Sequence, residues 1–85
     1  MKPLIQKLVE TYGPSGYEGQ IRAVVRAEIE PLVDEVKVDA LGNLVGRKGQ
    51  RTAQGLRIML AAHIDEIGVM VTHVDENGFV RFTTL

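Results

Sequence analysis

The chain has no cysteine, which excludes a disulfide framework and a thiolate metal site and fits a reducing compartment. It also lacks a surplus of either charge: ten Lys and Arg stand against eleven Asp and Glu, a formal net charge of −1. Nucleic acid selects a basic surplus, so it is not an expected partner. Aromatic residues make up only 5% of the chain. None interleaves with Lys48 and Arg51 at the polar loop Gly49 to Gly55, which reads as a solvated turn more readily than as a phosphate patch. No apolar run approaches the ~20 residues of a bilayer crossing, and no signal peptide is visible, so no membrane role is expected. Internal repeats, low-complexity segments, a P-loop and a G-x-G-x-x-G fingerprint are all missing. Gly13-Pro14-Ser15-Gly16 is glycine-rich, but it joins two helical stretches instead of a strand to a helix, which argues against a phosphate cradle.

What is present is an ordinary composition: 85 residues, 45% hydrophobic and 25% charged. That length allows one small domain with modest burial. Leu4, Ile5, Leu8, Val9 and Tyr12 recur at helical spacing, so a helix is expected over 3–12, with Pro3 in its first turn and Gly13-Pro14 as its stop. Ser15-Gly16-Tyr17-Glu18 has the form of a capping box for a second helix. Ile21, Val24, Val25, Ile29 and Leu32 are that helix's apolar stripe, and Pro31 marks its end.

From Asp34 the period changes from helix to strand. Val36 and Val38 alternate with Lys37 and Asp39, Leu41-Gly42-Asn43 reads as a turn, and residues 44–47 return as a second strand. Residues 56–62 are almost wholly apolar, as a central strand covered on both faces would be. Val69 to Val74 and 79–83 form a further hairpin around the Asn-Gly signal at Asn77-Gly78. The Met and Val stripe at 69–71 is expected in the core. His73 matches no local zinc spacing and is expected as a half-exposed strand residue.

The stretch LAAHIDEIGVMV, residues 60–71, organises the rest. Side chains two apart on an extended strand share a face, so His63 and Asp65 would emerge together. A neutral imidazole can bind a metal through one nitrogen while a carboxylate accepts a hydrogen bond from the other. The same residues, with Glu66, equally fit polar groups placed where a buried strand surfaces into solvent. The flanking apolar runs favour the site, because polar groups set between core elements need partners.

Three runs carry a resemblance: GPSGYE (13–18), VDEVKVDALGNLVGRKG (33–49) and AAHIDEIGVMVTHVDENGFVRF (61–82). In this order they resemble the N-terminal part of the glutamyl or deblocking aminopeptidases, dinuclear metallopeptidases that form tetrahedral particles and include members labelled endoglucanase. The likeness covers essentially the whole chain.

The resemblance implies a fold of the α/β class, the N-terminal part of a phosphorylase/hydrolase-like mixed sheet, here two helices followed by about five strands. It implies a metal-dependent cytoplasmic aminopeptidase acting on peptides, two divalent ions, zinc or cobalt, and a homo-oligomer. His63 matches the family's first metal-ligand histidine. Asp65 matches the catalytic aspartate that supports that histidine. The other ligands and the general-base Glu lie, in family members, beyond the length of this chain. Residues 1–85 are therefore expected to be an N-terminal fragment of the catalytic domain, ending near the junction with the family's inserted β-rich domain and inactive alone. The alternative is a non-catalytic interaction module that recruits partners through an open sheet edge.

Overall fold

The structure is a computed structural model describing Met1–Leu85. Helix α1 (Lys2–Val9) and helix α2 (Gly19–Ile29) come first, and a 3-10 turn (Glu30–Leu32) follows α2. Two antiparallel hairpins come next: β1 (Glu35–Val38) with β2 (Leu44–Arg47), and β3 (Val69–Val74) with β4 (Val80–Thr84). The chain is thus a mixture of helix and sheet with four strands in two separate pairs.

Pro3 sits in the first turn of α1 as expected, since its missing N–H costs the helix nothing there. The helix ends at Val9, before Tyr12, where Thr11 turns its hydroxyl back onto the Lys7 carbonyl at 2.6 Å. The capping box does not form. Glu18 occupies the N-cap position of α2 and makes no side-chain cap. Gly16 takes a left-handed φ of 86°, and the Ser15 amide is drawn instead to the Glu66 carbonyl at 3.3 Å. The Glu18 carboxylate still satisfies a nearby backbone donor, the Gly16 N–H at 2.9 Å.

Helix α2 turns its apolar stripe inward. Ile21 is buried and Val24, Val25 and Ile29 are half-buried, while Leu32 stays exposed in the 3-10 turn. Helix α2 meets the first hairpin at Gly46, where an added Cβ would lie 3.2 Å from Ile29 Cδ1. Arg22 pins the hairpin's loop to α2 by donating from Nε to the Gly42 carbonyl at 2.8 Å. A salt bridge of 2.9 Å between Lys7 and Glu28 ties α1 to α2.

Both hairpins close on one loop design. Asp39 and Asp75 each accept two backbone N–H bonds on Oδ1, from Leu41 and Asn43 and from Asn77 and Phe79, all at 2.9 Å. Gly42 and Gly78 then take left-handed φ angles of 89° and 83°. Asn77 does not, so the Asn-Gly pair marks a hairpin but not the mirror-image two-residue turn usually associated with it. The returning strand runs one residue later than expected, and a bulge between Val71 and His73 interrupts the register of β3 with β4.

Two expectations fail for a common reason. Residues 56–62 form no strand, because a strand exists through its ladder and each hairpin here pairs only with itself. Leu56 and Leu60 are both 93% exposed. The stripe at Val69, Met70 and Val71 is likewise uncovered, since no layer lies on either face of the second hairpin. His73, opposite Arg81, is an exposed strand residue. The radius of gyration is 17.8 Å, against about 12 Å for a compact chain of this length. Only Gly13, Pro14 and Ile21 are buried.

Hydrogen bonds hold the Asp39 carboxyl below the ordinary aspartate range, first from the Asn43 side chain and then from the Asn43 backbone, against a smaller opposing effect of desolvation. Its folded value lies below its unfolded one, so its contribution is complete above the reference value of 3.8 and is lost as pH falls through the folded value. In an NMR titration from about pH 6 to about pH 2, the β1–β2 loop amides should move toward coil shifts. Asp39→Ala should already show those shifts at neutral pH; native loop shifts in that variant would refute the account.

Candidate functional site

Residues 60–66 run as an irregular segment between the hairpins, and His63 lies on it with its side chain 87% exposed. The local geometry nevertheless brings His63 and Asp65 together. His63 Nδ1 lies 3.0 Å from Asp65 Oδ1 and 3.1 Å from the Asp65 carbonyl oxygen. Two oxygen acceptors at one ring nitrogen require that nitrogen to carry the proton, so Nδ1–H donates and Nε2 keeps its lone pair in the neutral ring. This is the arrangement in which a carboxylate fixes the tautomer and direction of a ligating histidine.

Glu66 parts from the pair. Its N–H donates to the Gly13 carbonyl at 3.0 Å, and its own carbonyl accepts from Ser15 N at 3.3 Å. Its carboxylate accepts from Gly13 N at 3.4 Å. Pro14 and Glu66 therefore form a parallel bridge between residues far apart in sequence. Behind this bridge lies the small core: a Cβ on Gly13 would run into Ile21, reaching its Cγ2 and lying 2.8 Å from its Cβ. Gly13 has no positive φ, so glycine is needed there for space alone.

A cavity of about 640 Å³ opens between α2, the first hairpin and the segment carrying His63. Arg22, Val25 and Leu44 line it on one side, and Leu60, His63 and Asp65 on the other. No three His, Asp or Glu side chains stand close enough to hold a metal ion together. The free Nε2 of His63, braced by Asp65, suits a single ligand position. The acids near His63 do not build the rest of a set, since Asp65 is committed to Nδ1 and Glu66 to Gly13.

The sequence pointed to His63 and Asp65, and the structure joins them. It gave no warning that GPSGYE would dock on Glu66. The available signal is Gly13-Pro14, a point where the chain must leave the helix and where a glycine allows close approach of another segment.

The mixed helix and hairpin framework as a whole resembles solved aminopeptidases. The crystal structure of a TET aminopeptidase from a marine-sediment Thaumarchaeota archaeon superposes with a TM-score of 0.84 at 38% identity, covering 99% of this chain and 23% of that one. A protein of Acetivibrio thermocellus that bears an aminopeptidase name is 48% identical over 85 residues, all of this chain and 25% of its own length. The lysyl aminopeptidase of Pyrococcus furiosus is 42% identical over 80 residues, 92% of this chain and 22% of its own. The model of the M42 glutamyl aminopeptidase family matches residues 42–85. The chain belongs to that family, and it spans about a quarter of the length of the relatives it matches.

Gly13→Ala should lower the urea midpoint of unfolding, followed by the fluorescence of the flanking Tyr12 and Tyr17. Overfilling the contact with Ile21 should cost about 1–3 kcal/mol. An unchanged midpoint would mean that Ile21 moves aside freely.

Proposed function

We propose that this chain supplies one corner of the active site of a dinuclear metallo-aminopeptidase that removes N-terminal residues from peptides. The carrying observation is the His63–Asp65 pair, with Nδ1 held at 3.0 Å by the carboxylate and Nε2 left free. Membership of the M42 family supports the same reading. His63 would hold one divalent ion through Nε2, with zinc or cobalt as the expected metals. Asp65 acts through the histidine: its negative charge keeps the proton on Nδ1 and strengthens the ring as a donor to the metal. When bound, divalent ions at such a site supply charge that polarises the peptide carbonyl and lowers the pKa of water.

Arg22 and Glu18 line the same cavity as His63. Arg22 is engaged with Gly42 and lies 3.8 Å from Glu18, so its part is to hold the cavity wall and not to meet substrate. The remaining metal ligands and the general base come from residues other than these 85. We assign the whole enzyme to the cytoplasm and to a homo-oligomer, as the resemblance implies.

The test is a graft of this chain in place of the matching 80 residues of the Pyrococcus furiosus lysyl aminopeptidase. The graft should hydrolyse lysyl p-nitroanilide and bind two metal equivalents. Asp65→Ala in it should lower activity or metal affinity by about 10- to 100-fold, and His63→Ala should do more. A His63→Ala graft with full activity and full metal content would refute the assignment. Calorimetry on the 85-residue chain alone should give weak zinc binding without hydrolysis. Tight binding lost in His63→Ala, together with turnover, would show a working site within this chain.

A further inference from the structure

The peptide unit joining Asp65 to Glu66 is held at both ends. Its carbonyl oxygen, from Asp65, lies 3.1 Å from His63 Nδ1, and its N–H, from Glu66, donates to the Gly13 carbonyl at 3.0 Å. A peptide is a rigid plane, so rotation at one end moves the other. The direction in which Gly13 presents its carbonyl therefore sets one of the two acceptors that orient His63. The next bond along, from Ser15 N to the Glu66 carbonyl at 3.3 Å, holds the following peptide. The Glu66 carboxylate, reaching Gly13 N at 3.4 Å, closes the exchange. The loop making these bonds contributes two of the chain's three buried residues, Gly13 and Pro14, and it rests on the third, Ile21. The most anchored part of the molecule thus grips the residue next to Asp65.

We propose that Glu66 is a positioning residue for the His63–Asp65 pair, acting through Gly13 and the Pro14 bridge to fix the backbone from which Asp65 meets His63 Nδ1. This rests on the aminopeptidase reading above. Glu66 touches neither substrate nor metal in this role. Gly68 belongs to the same device: a Cβ there would lie 2.6 Å from Pro14 Cβ, so its lack of a side chain lets the loop close.

The experiment uses the active graft with Glu66→Ala, Glu66→Gln and Gly68→Ala, each read as kcat, KM, bound zinc per chain and Tm. Displacing a catalytic pair by a fraction of an ångström slows turnover without weakening substrate binding. Glu66→Ala and Gly68→Ala should therefore lower kcat by about tenfold and leave KM within about twofold. Glu66→Gln keeps an oxygen acceptor for Gly13 N and should restore kcat to within about threefold. A merely structural role would lower Tm and leave kcat per zinc-loaded site unchanged, and that result overturns the proposal. A Glu66→Gln enzyme as slow as Glu66→Ala overturns it as well. Hydrogen exchange in the unsubstituted graft needs no variant to fold: protected Ser15 and Glu66 amides are expected, and exchange at the free-peptide rate overturns the bridge. The companion His63→Ala graft separates the two readings. If it is inactive while the Glu66 and Gly68 variants run at full kcat, the aminopeptidase reading stands and this proposal falls. If it is active, both fall.

Discussion

The exchange of backbone hydrogen bonds between Gly13, Ser15 and Glu66 is the constraint on which the rest depends. It joins the helical pair to the segment carrying His63 across more than fifty residues. Each hairpin closes on its own, and the first hairpin meets Arg22 and Ile29 of α2 and Val33 just past the 3-10 turn. Without the Gly13–Glu66 exchange, residues 48–68 would link two independently folded pieces. With it, the region holding His63 has one fixed end. The bonds gain strength because Gly13 and Pro14 are shielded from water while the hairpin surfaces are not.

Much of the apolar surface has no partner within these 85 residues. The row from Leu56 to Leu60, the exposed faces of Val69 and Val71, and Phe79 and Phe82 all face outward. Single exposed apolar residues are ordinary, but a continuous run of them is not. Neither hairpin has a second layer of helix or sheet laid over these residues, and each pairs only with itself. Leu60 joins this uncovered run to the cavity beside His63, whose other apolar wall, Val25 and Leu44, is half-buried.

Local rules in the sequence were enough for the helices, both hairpins and the His63–Asp65 pair. Pro3, the stripe on α2, the Asp-and-Gly loops and the spacing of two between His63 and Asp65 act over a few residues, so composition and period expose them. Failures occur where a distant residue competes. Ser15 had the spacing of a cap, yet its backbone N–H turned to Glu66, a partner no window of local sequence contains. The apolar run at 56–62 had the composition of a central strand, but composition cannot supply the neighbouring chain that makes a ladder. The stripe at 69–71 failed as core for the same reason. The free Nε2 of His63 was anticipated in kind; the Asp65 carbonyl as a second acceptor on Nδ1 was not, because backbone groups carry no sequence signature.

The shared loop design of the two hairpins has a consequence in time. Each hairpin is sealed by an aspartate and a glycine within five residues, so its closure needs almost no search and belongs to the microsecond class of events. The Gly13–Glu66 exchange must bring together ends separated by the whole first hairpin and the irregular segment, and loop-closure entropy delays it. The hairpins are therefore locally closed parts, and the Gly13–Glu66 exchange is the long-range closure that anchors the histidine's segment. That closure fixes where the segment stands in the fold, whereas the contact between His63 and Asp65 spans only two residues and travels with it.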